Sequence, residues 1–363
     1  MMPDALLFRS AAENMSALSR LLLQPRSEKT AAFLQSLDRT RFRDLECLAG
    51  TNHVKVRGLQ ALFDWMIDAH DQRRAEWAIV ALAEERARIA RAVEWLSSVC
   101  AAFQDEGLDV TVIKSLDHWP DLGSDLDLYT NAPAAAVRDL MTRRFDATLA
   151  PRSLGDRLAG KWNFVIPGLP EPVEVHAGRL GQTGEQVAFA SRLPARARVI
   201  DIEGHRFRVP SVTDRLIVST LQRMYRHFYF RLCDVVDSAS LVDAGAVDYA
   251  DLLATAQAAG VWEGTATYLA IVSDYVQRFR GKGLDLPVFV RESARFGGDD
   301  VYFARDFLRV PIVPQSAGLY RTQLAEMLRR RELRGGARLG LLPWLATAAA
   351  LGQKMTGSDK GVW

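Results

Sequence analysis

The apolar positions divide the chain into three stretches of different period. From about Ala5 to Phe103 they recur at helical spacing, as in Trp77, Val80, Ile89, Val93, Leu96 and Phe103, with Glu84, Glu85, Arg86 and Arg88 between them. The last helix of this stretch is expected over roughly Gln72 to Gln104, stopping at Gly107, which closes a helix readily. The period then shortens. Leu108–Lys114 (LDVTVIK) is short and β-branched, and Asp125–Thr130 (DLDLYT) alternates acid with apolar. Lys161–Pro167 and Pro172–Arg179 read as further strands, Val199–Val209 as a hairpin turning at Gly204, and Ala134–Phe145, behind Pro133, as a helix. Beyond Thr213 helices are expected at Asp214–Arg231, Leu232–Ala244, Tyr249–Ala259, Glu263–Arg280 and Leu319–Leu333, the first capped by Ser211 or Thr213. The pattern predicts an α+β fold: a small mixed-sheet domain over 105–210, flanked by helical regions over 1–104 and 211–363.

Composition narrows the function classes. With 363 residues, 48% hydrophobic, the chain can bury more than one core, and a net charge of only +2 argues against a dedicated non-specific nucleic-acid binder. No stable nucleic-acid partner is expected. Cys47, Cys100 and Cys233 lie far apart, so neither a disulfide framework nor a Cys-based zinc site is implied. Each falls in an apolar helical pattern and is expected as a buried, inert thiol; with no signal-peptide pattern, a cytoplasmic location is expected. No apolar run reaches the roughly 18–20 residues of a transmembrane helix. The nearest, Leu339–Gly352, is broken at Pro343 and preceded by the basic stretch Arg329–Arg338. It reads either as a helix packed on the body or as a weak membrane-surface contact across 329–352.

The informative segment is Val112–Thr130, VIKSLDHWPDLGSDLDLYT. One strand ends at Lys114-Ser115, a polar loop follows, and the next strand opens with Asp125-Leu126-Asp127. Residues i and i+2 of a strand share a face, so Asp125 and Asp127 present two carboxylates together while Leu126 and Leu128 point to the core. Adjacent like charges repel, and a divalent cation between them relieves the repulsion; Mg2+ (or Mn2+) suits carboxylate oxygens. Asp201-Ile202-Glu203 has the same acid-x-acid form but lacks the strand, turn, strand frame, and is assigned to a solvated hairpin face.

With Lys114-Ser115 followed by Ser124-Asp125-Leu126-Asp127-Leu128, the segment resembles the signature of the polymerase-β-like nucleotidyltransferase superfamily. Ile113-Lys114-Ser115 and Glu174-Val175-His176 are similar to the strand end and last strand of a bacterial branch of nucleotidyltransferase-family proteins; the resemblance covers roughly residues 75–245. Two departures stand out: Ser115 replaces a glycine, and no arginine stands just before Ser124. The resemblance implies a third carboxylate on a neighbouring strand, for which Glu174 is the candidate, sharing its face with His176. It further implies that Asp125 and Asp127 hold the metal and that Glu174 is metal ligand and base. Ser115 would donate to the phosphates of an NTP, ATP being the expected donor, and Lys114 would add positive charge. The acceptor would be a small molecule or protein rather than nucleic acid. The departures leave open a catalytically inactive nucleotide-binding or partner-binding protein on the same fold.

Other residues keep two readings each. Lys161, one of seven lysines among 46 basic residues, faces the triphosphate or ends its strand in solvent. His176 touches a nucleotide or completes the sheet surface. Arg223, Arg226, His227 and Phe230 form a helical stripe that binds phosphate or an RNA backbone, or else pairs with acids such as Asp234 and Asp237. His118 and Trp119 line a base pocket or anchor their loop. His53, His70 and His205 show no metal-ligand spacing.

Overall fold

The N-terminal region is built from α1 (Asp4–Leu23), α2 (Glu28–Gln35), α3 (Arg39–Thr51), α4 (Lys55–Asp68) and the 34-residue α5 (Gln72–Asp105). The computed structural model describes residues 4–24 and 27–345. α5 buries one stripe, from Ala78 and Leu82 through Ile89, Val93 and Leu96 to Phe103, and α4 packs along it where alanines keep the surface low. Val80 lies off that stripe and is 51% exposed, because the buried seam runs through Ala78, Ala81 and Leu82 instead. Gly107 follows the helix with φ +68°.

A five-stranded mixed sheet comes next: β1 (Thr111–Val112), β2 (Leu126–Thr130), β3 (Thr148–Leu149), β4 (Lys161–Val165) and β5 (Val173–Ala177), in the order β1-β2-β5-β4-β3. β2 and β5 run parallel, and the other neighbours are antiparallel. A parallel pair needs a long crossover, supplied here by α6 (Ala134–Phe145), β3, the short α7 (Leu154–Ala159) and β4. Leu126, Leu128, Val173 and Val175 are fully buried on one face, which leaves the other to Asp127, Glu174 and His176. β1 is only two residues of the expected Leu108–Lys114 run, because the chain reverses at Lys114.

After α8 (Val187–Ser191) and α9 (Leu193–Arg196), β6 (Arg198–Ile202) and β7 (His205–Val209) form the expected hairpin, with Asp201 and Glu203 exposed. The C-terminal region holds α10 (Val212–Gln222), α11 (Leu232–Asp243), α12 (Tyr249–Ala258), α13 (Trp262–Arg280), α14 (Val288–Ser293), α15 (Ala317–Arg329) and α16 (Leu333–Gly340). Ser211 caps α10, accepting from the Asp214 N–H at 3.2 Å.

The expected helix Asp214–Arg231 does not run through. The α-helix ends at Gln222, a wider π turn covers Arg223–His227, and Phe228 takes φ +55°. The chain then becomes β8 (Tyr229–Phe230), which pairs with β10 (Phe307–Arg309), itself paired with β9 (Tyr302–Ala304). Burial decides this: Phe230 is drawn into the core to stack on Tyr268 at 5.1 Å, and the buried Arg223 Nε meets Asp234 Oδ2 at 2.7 Å.

Two further expectations change. Cys100 and Cys233 are buried, but Cys47 is exposed. Of the 329–352 stretch, residues 346–352 lie outside the described residues; among the described residues no helix is long and apolar enough to cross a membrane.

Candidate active site

The site begins at the reversal that ends β1. The Ser115 N–H donates to the Ile113 carbonyl at 2.6 Å across Lys114, whose φ and ψ are 61° and −57°. This is a γ-turn of the strained, positive-φ kind, a conformation that costs on the order of 1–3 kcal/mol outside glycine and persists only where surroundings enforce it. It turns the Lys114 side chain onto the polar face of the sheet. There the ammonium touches the Asp127 carboxylate and lies 3.5 Å from Glu174 Oε1.

Ser115 has a different task from the one expected. Its buried hydroxyl accepts from the Asp127 N–H at 2.8 Å and donates to the Asp125 carbonyl at 3.2 Å. The donor proton expected to reach a phosphate is therefore used to tie the turn to the start of β2. Ser124 is exposed, and its hydroxyl donates to Asp125 Oδ1 at 3.4 Å.

Strand register assembles the rest. Asp127 is the direct partner of Glu174 across the parallel pair, and His176 is the partner of Lys161 across β4 and β5. His176 Nε2 donates to Glu174 Oε1 at 2.7 Å, and the Lys161 ammonium pairs with Glu174 Oε2 at 2.5 Å. Lys161 is thus neither solvated nor free; it grips the central acid. Asp127, Glu174 and His176 offer ligand atoms that all lie within 4.8 Å of one another. Asp125 is outside that trio, half-buried on the same cavity. His176, rather than Asp125, completes the inner cluster.

The charges are unevenly shared. Burial pushes the Glu174 carboxyl up, but Lys114, the His176 hydrogen bond and charge, and Lys161 outweigh it and hold its pKa well below the ordinary range. Burial works to lower the Lys114 ammonium, and Asp127, Glu174 and Asp125 overcome it, leaving the pKa above the usual lysine value. Asp125 goes the other way: the Asp127 charge, then burial, then Glu174 lift it to about 6. Three carboxylates therefore face two ammoniums. Their oxygens suit a hard divalent ion, which at Asp127 has to share or displace the Lys114 ammonium.

These groups form one wall of a cavity of about 160 Å3. The facing wall is basic, made by Gln222 at the end of α10, Arg223, Arg226 and His227 in the π turn, Tyr229 in β8 and Arg231 at the start of α11. Arg223 is neutralised by Asp234, whereas Arg226 and Arg231 have no carboxylate partner among the described residues. Burial first, then Arg226, Arg223 and Lys114, hold the His227 imidazole well below its usual pKa, so it is neutral. Of the expected stripe, Arg223, Arg226 and His227 reach the cavity and Phe230 does not. Gln222, Tyr229 and Arg231 lie outside the expected stripe but flank it in a continuous helix, Gln222 one turn before Arg226 and Arg231 one turn after His227. The basic, aromatic run Arg223–Arg231 (RMYRHFYFR) was the available signal.

His118 resolves as a loop anchor that also touches the cavity: its Nδ1 meets Asp237 Oδ2 at 2.5 Å and its Nε2 lies 3.7 Å from Cys233 Sγ. Trp119 packs partly buried against the core. His53 lines the same cavity although its sequence spacing is uninformative. No protein-family model matches the chain, and no match was found among curated proteins or solved structures.

Proposed function

We propose that this chain is a Mg2+- or Mn2+-dependent nucleotidyltransferase, moving a nucleoside monophosphate from an NTP, with ATP the expected donor, to a hydroxyl or phosphate acceptor on a small molecule or protein. One observation carries the reading: Asp127 and Glu174 stand in register on parallel strands with Asp125 beside them, facing across one cavity two arginines that have no acidic partner among the described residues. Such a cavity is complementary to a metal-bound polyphosphate, cation to the acidic wall and phosphates to the guanidiniums.

Asp127 and Glu174 would hold the ion, with Asp125 and His176 beside it. A bound divalent ion supplies neutralising charge for the phosphates and acidifies an oxygen in contact with it. The chain's own groups do the remainder. Glu174, held ionised by three cationic or donating neighbours, suits the ligand role expected of it more than the role of base. Asp125, with a pKa near the working range, is the better proton acceptor for an attacking hydroxyl. Arg226 and Arg231 orient phosphate oxygens, and Lys161 keeps Glu174 in place.

A second reading, an inactive nucleotide-binding protein, is favoured by the Lys114 ammonium, which already compensates Asp127 and Glu174. One experiment separates the two. Each α-labelled NTP is incubated with Mg2+, cell extract and either the wild type or Asp127→Asn. Label transfer that falls at least about 1000-fold in the variant, roughly 4 kcal/mol of lost stabilisation, supports the enzyme. NTP binding without transfer supports the second reading, and neither binding nor transfer removes both.

A further inference from the structure

A second cluster of ligating groups lies at the same cavity: His53 and His118 line it, and Cys233 is buried beside His118. His53 sits between α3 and α4, His118 in the loop after β1, and Cys233 at the start of α11, so each comes from a different region of the chain. One ligating atom from each can be chosen so that all three lie within 4.8 Å of one another. The geometry points to a site for a thiophilic divalent transition ion of the zinc class, held by His53, His118 and Cys233.

Four observations support it. First, the separation of His118 Nε2 from Cys233 Sγ is 3.7 Å, close to the about 3.5 Å that Zn–S and Zn–N bond lengths require around a tetrahedral ion. Second, His118 is oriented as a metal-bound imidazole usually is: its other nitrogen meets the Asp237 carboxylate at 2.5 Å, leaving Nε2 for the ion. Asp237 stands one helical turn after Cys233 on α11, so both face the same ring, and Arg57 holds Asp237 Oδ1 at 2.5 Å. Third, His53 is 9% exposed, and its buried Nδ1 has no hydrogen-bond partner among the described residues. Its backbone is held at φ +52°, and its ring packs so closely on Gly123 that a Cβ there would come within 2.9 Å of Cε1. A strained backbone and a glycine reserved for one ring are the marks of an enforced position. Fourth, the donor set of two imidazoles and a thiol selects soft or borderline ions rather than Mg2+. Cys233 is fully buried, which suits a ligand and denies a bulky substrate access to the sulfur as nucleophile.

Binding replaces the Cys233 S–H bond, and any proton on His118 Nε2, with bonds to the metal and releases those protons to solvent, with no redox change. The fourth ligand has to come from the cavity that both imidazoles line. Since the three ligands belong to three regions, the ion would pin the helical regions to the loop that follows β1.

The test uses the full chain, stripped with a chelator and titrated with Co2+ and then Zn2+. One equivalent of Co2+ is expected to give a thiolate-to-cobalt charge-transfer band, which one equivalent of Zn2+ abolishes. The band should vanish in Cys233→Ser, and affinity should fall at least about 100-fold in His53→Gln. Asp127→Asn should leave the band intact, which separates this site from the carboxylate cluster. No band in the wild type overturns the proposal. So does a band that survives in Cys233→Ser. If that variant does not fold, unchanged affinity in His53→Gln decides against the site in its place.

Discussion

Asp127 and Glu174 are register partners on adjacent parallel strands, and the Lys114 ammonium lies against both carboxylates. The cluster is thus held together by a counter-charge from the protein itself, delivered by a strained turn.

Removing that counter-charge should destabilise the chain and make it depend on metal. Lys114→Met leaves two buried carboxylates facing each other, a loss on the order of 3–5 kcal/mol. Added Mn2+ should restore more thermal stability to the variant than it adds to the wild type, since the ion no longer competes with the ammonium. Calorimetry with and without Mn2+ checks this; equal metal effects on both proteins would place the ion elsewhere.

Asp125 should oppose folding at neutral pH. Its pKa is raised in the folded state to about 6, so the group favours folding at pH values below its unfolded pKa and loses that contribution as pH rises through 6. Asp125→Asn should therefore be more stable than the wild type at pH 8, by on the order of 1–3 kcal/mol, and about equal to it near pH 4. Urea titrations at the two pH values decide it. In the same variant, nucleotidyl transfer should be lost, since the acceptor proton has nowhere to go.

Arg226 should matter for ligand and not for fold. It is half-buried on the cavity and has no carboxylate partner among the described residues. Arg226→Ala should weaken NTP binding roughly tenfold to hundredfold, as loss of a charge-assisted hydrogen bond does, while the melting temperature stays put. Isothermal titration with ATP and Mg2+ is the measurement; unchanged affinity would exclude Arg226 from the phosphate site.

Arg223 is the reverse case. It is 1% exposed and its guanidinium meets Asp234. Asp234→Asn leaves that charge buried and unpaired, and should cost on the order of 3–5 kcal/mol. Chemical denaturation would show it as a lower midpoint. A midpoint unchanged from the wild type would mean that other groups neutralise Arg223.

What the sequence determined by itself was whatever depends on local period. Alternation put Leu126 and Leu128 in the core and the acids opposite, and helical spacing placed α5, α11, α12 and α13 within a residue or two of their observed ends. The paired acids and the neighbouring Glu-x-His strand were legible for the same reason, since side-chain direction along a strand follows from chain geometry alone. Tertiary structure decided everything that needs two distant segments at once. Register made Glu174 the partner of Asp127 and brought Lys161 to both Glu174 and His176. Packing of Phe230 and Arg223 ended a helix that propensity would have continued, and so built the basic wall. Strain at Lys114 and His53 is invisible in a sequence, because a residue's intrinsic preference argues against a conformation that only its surroundings can hold.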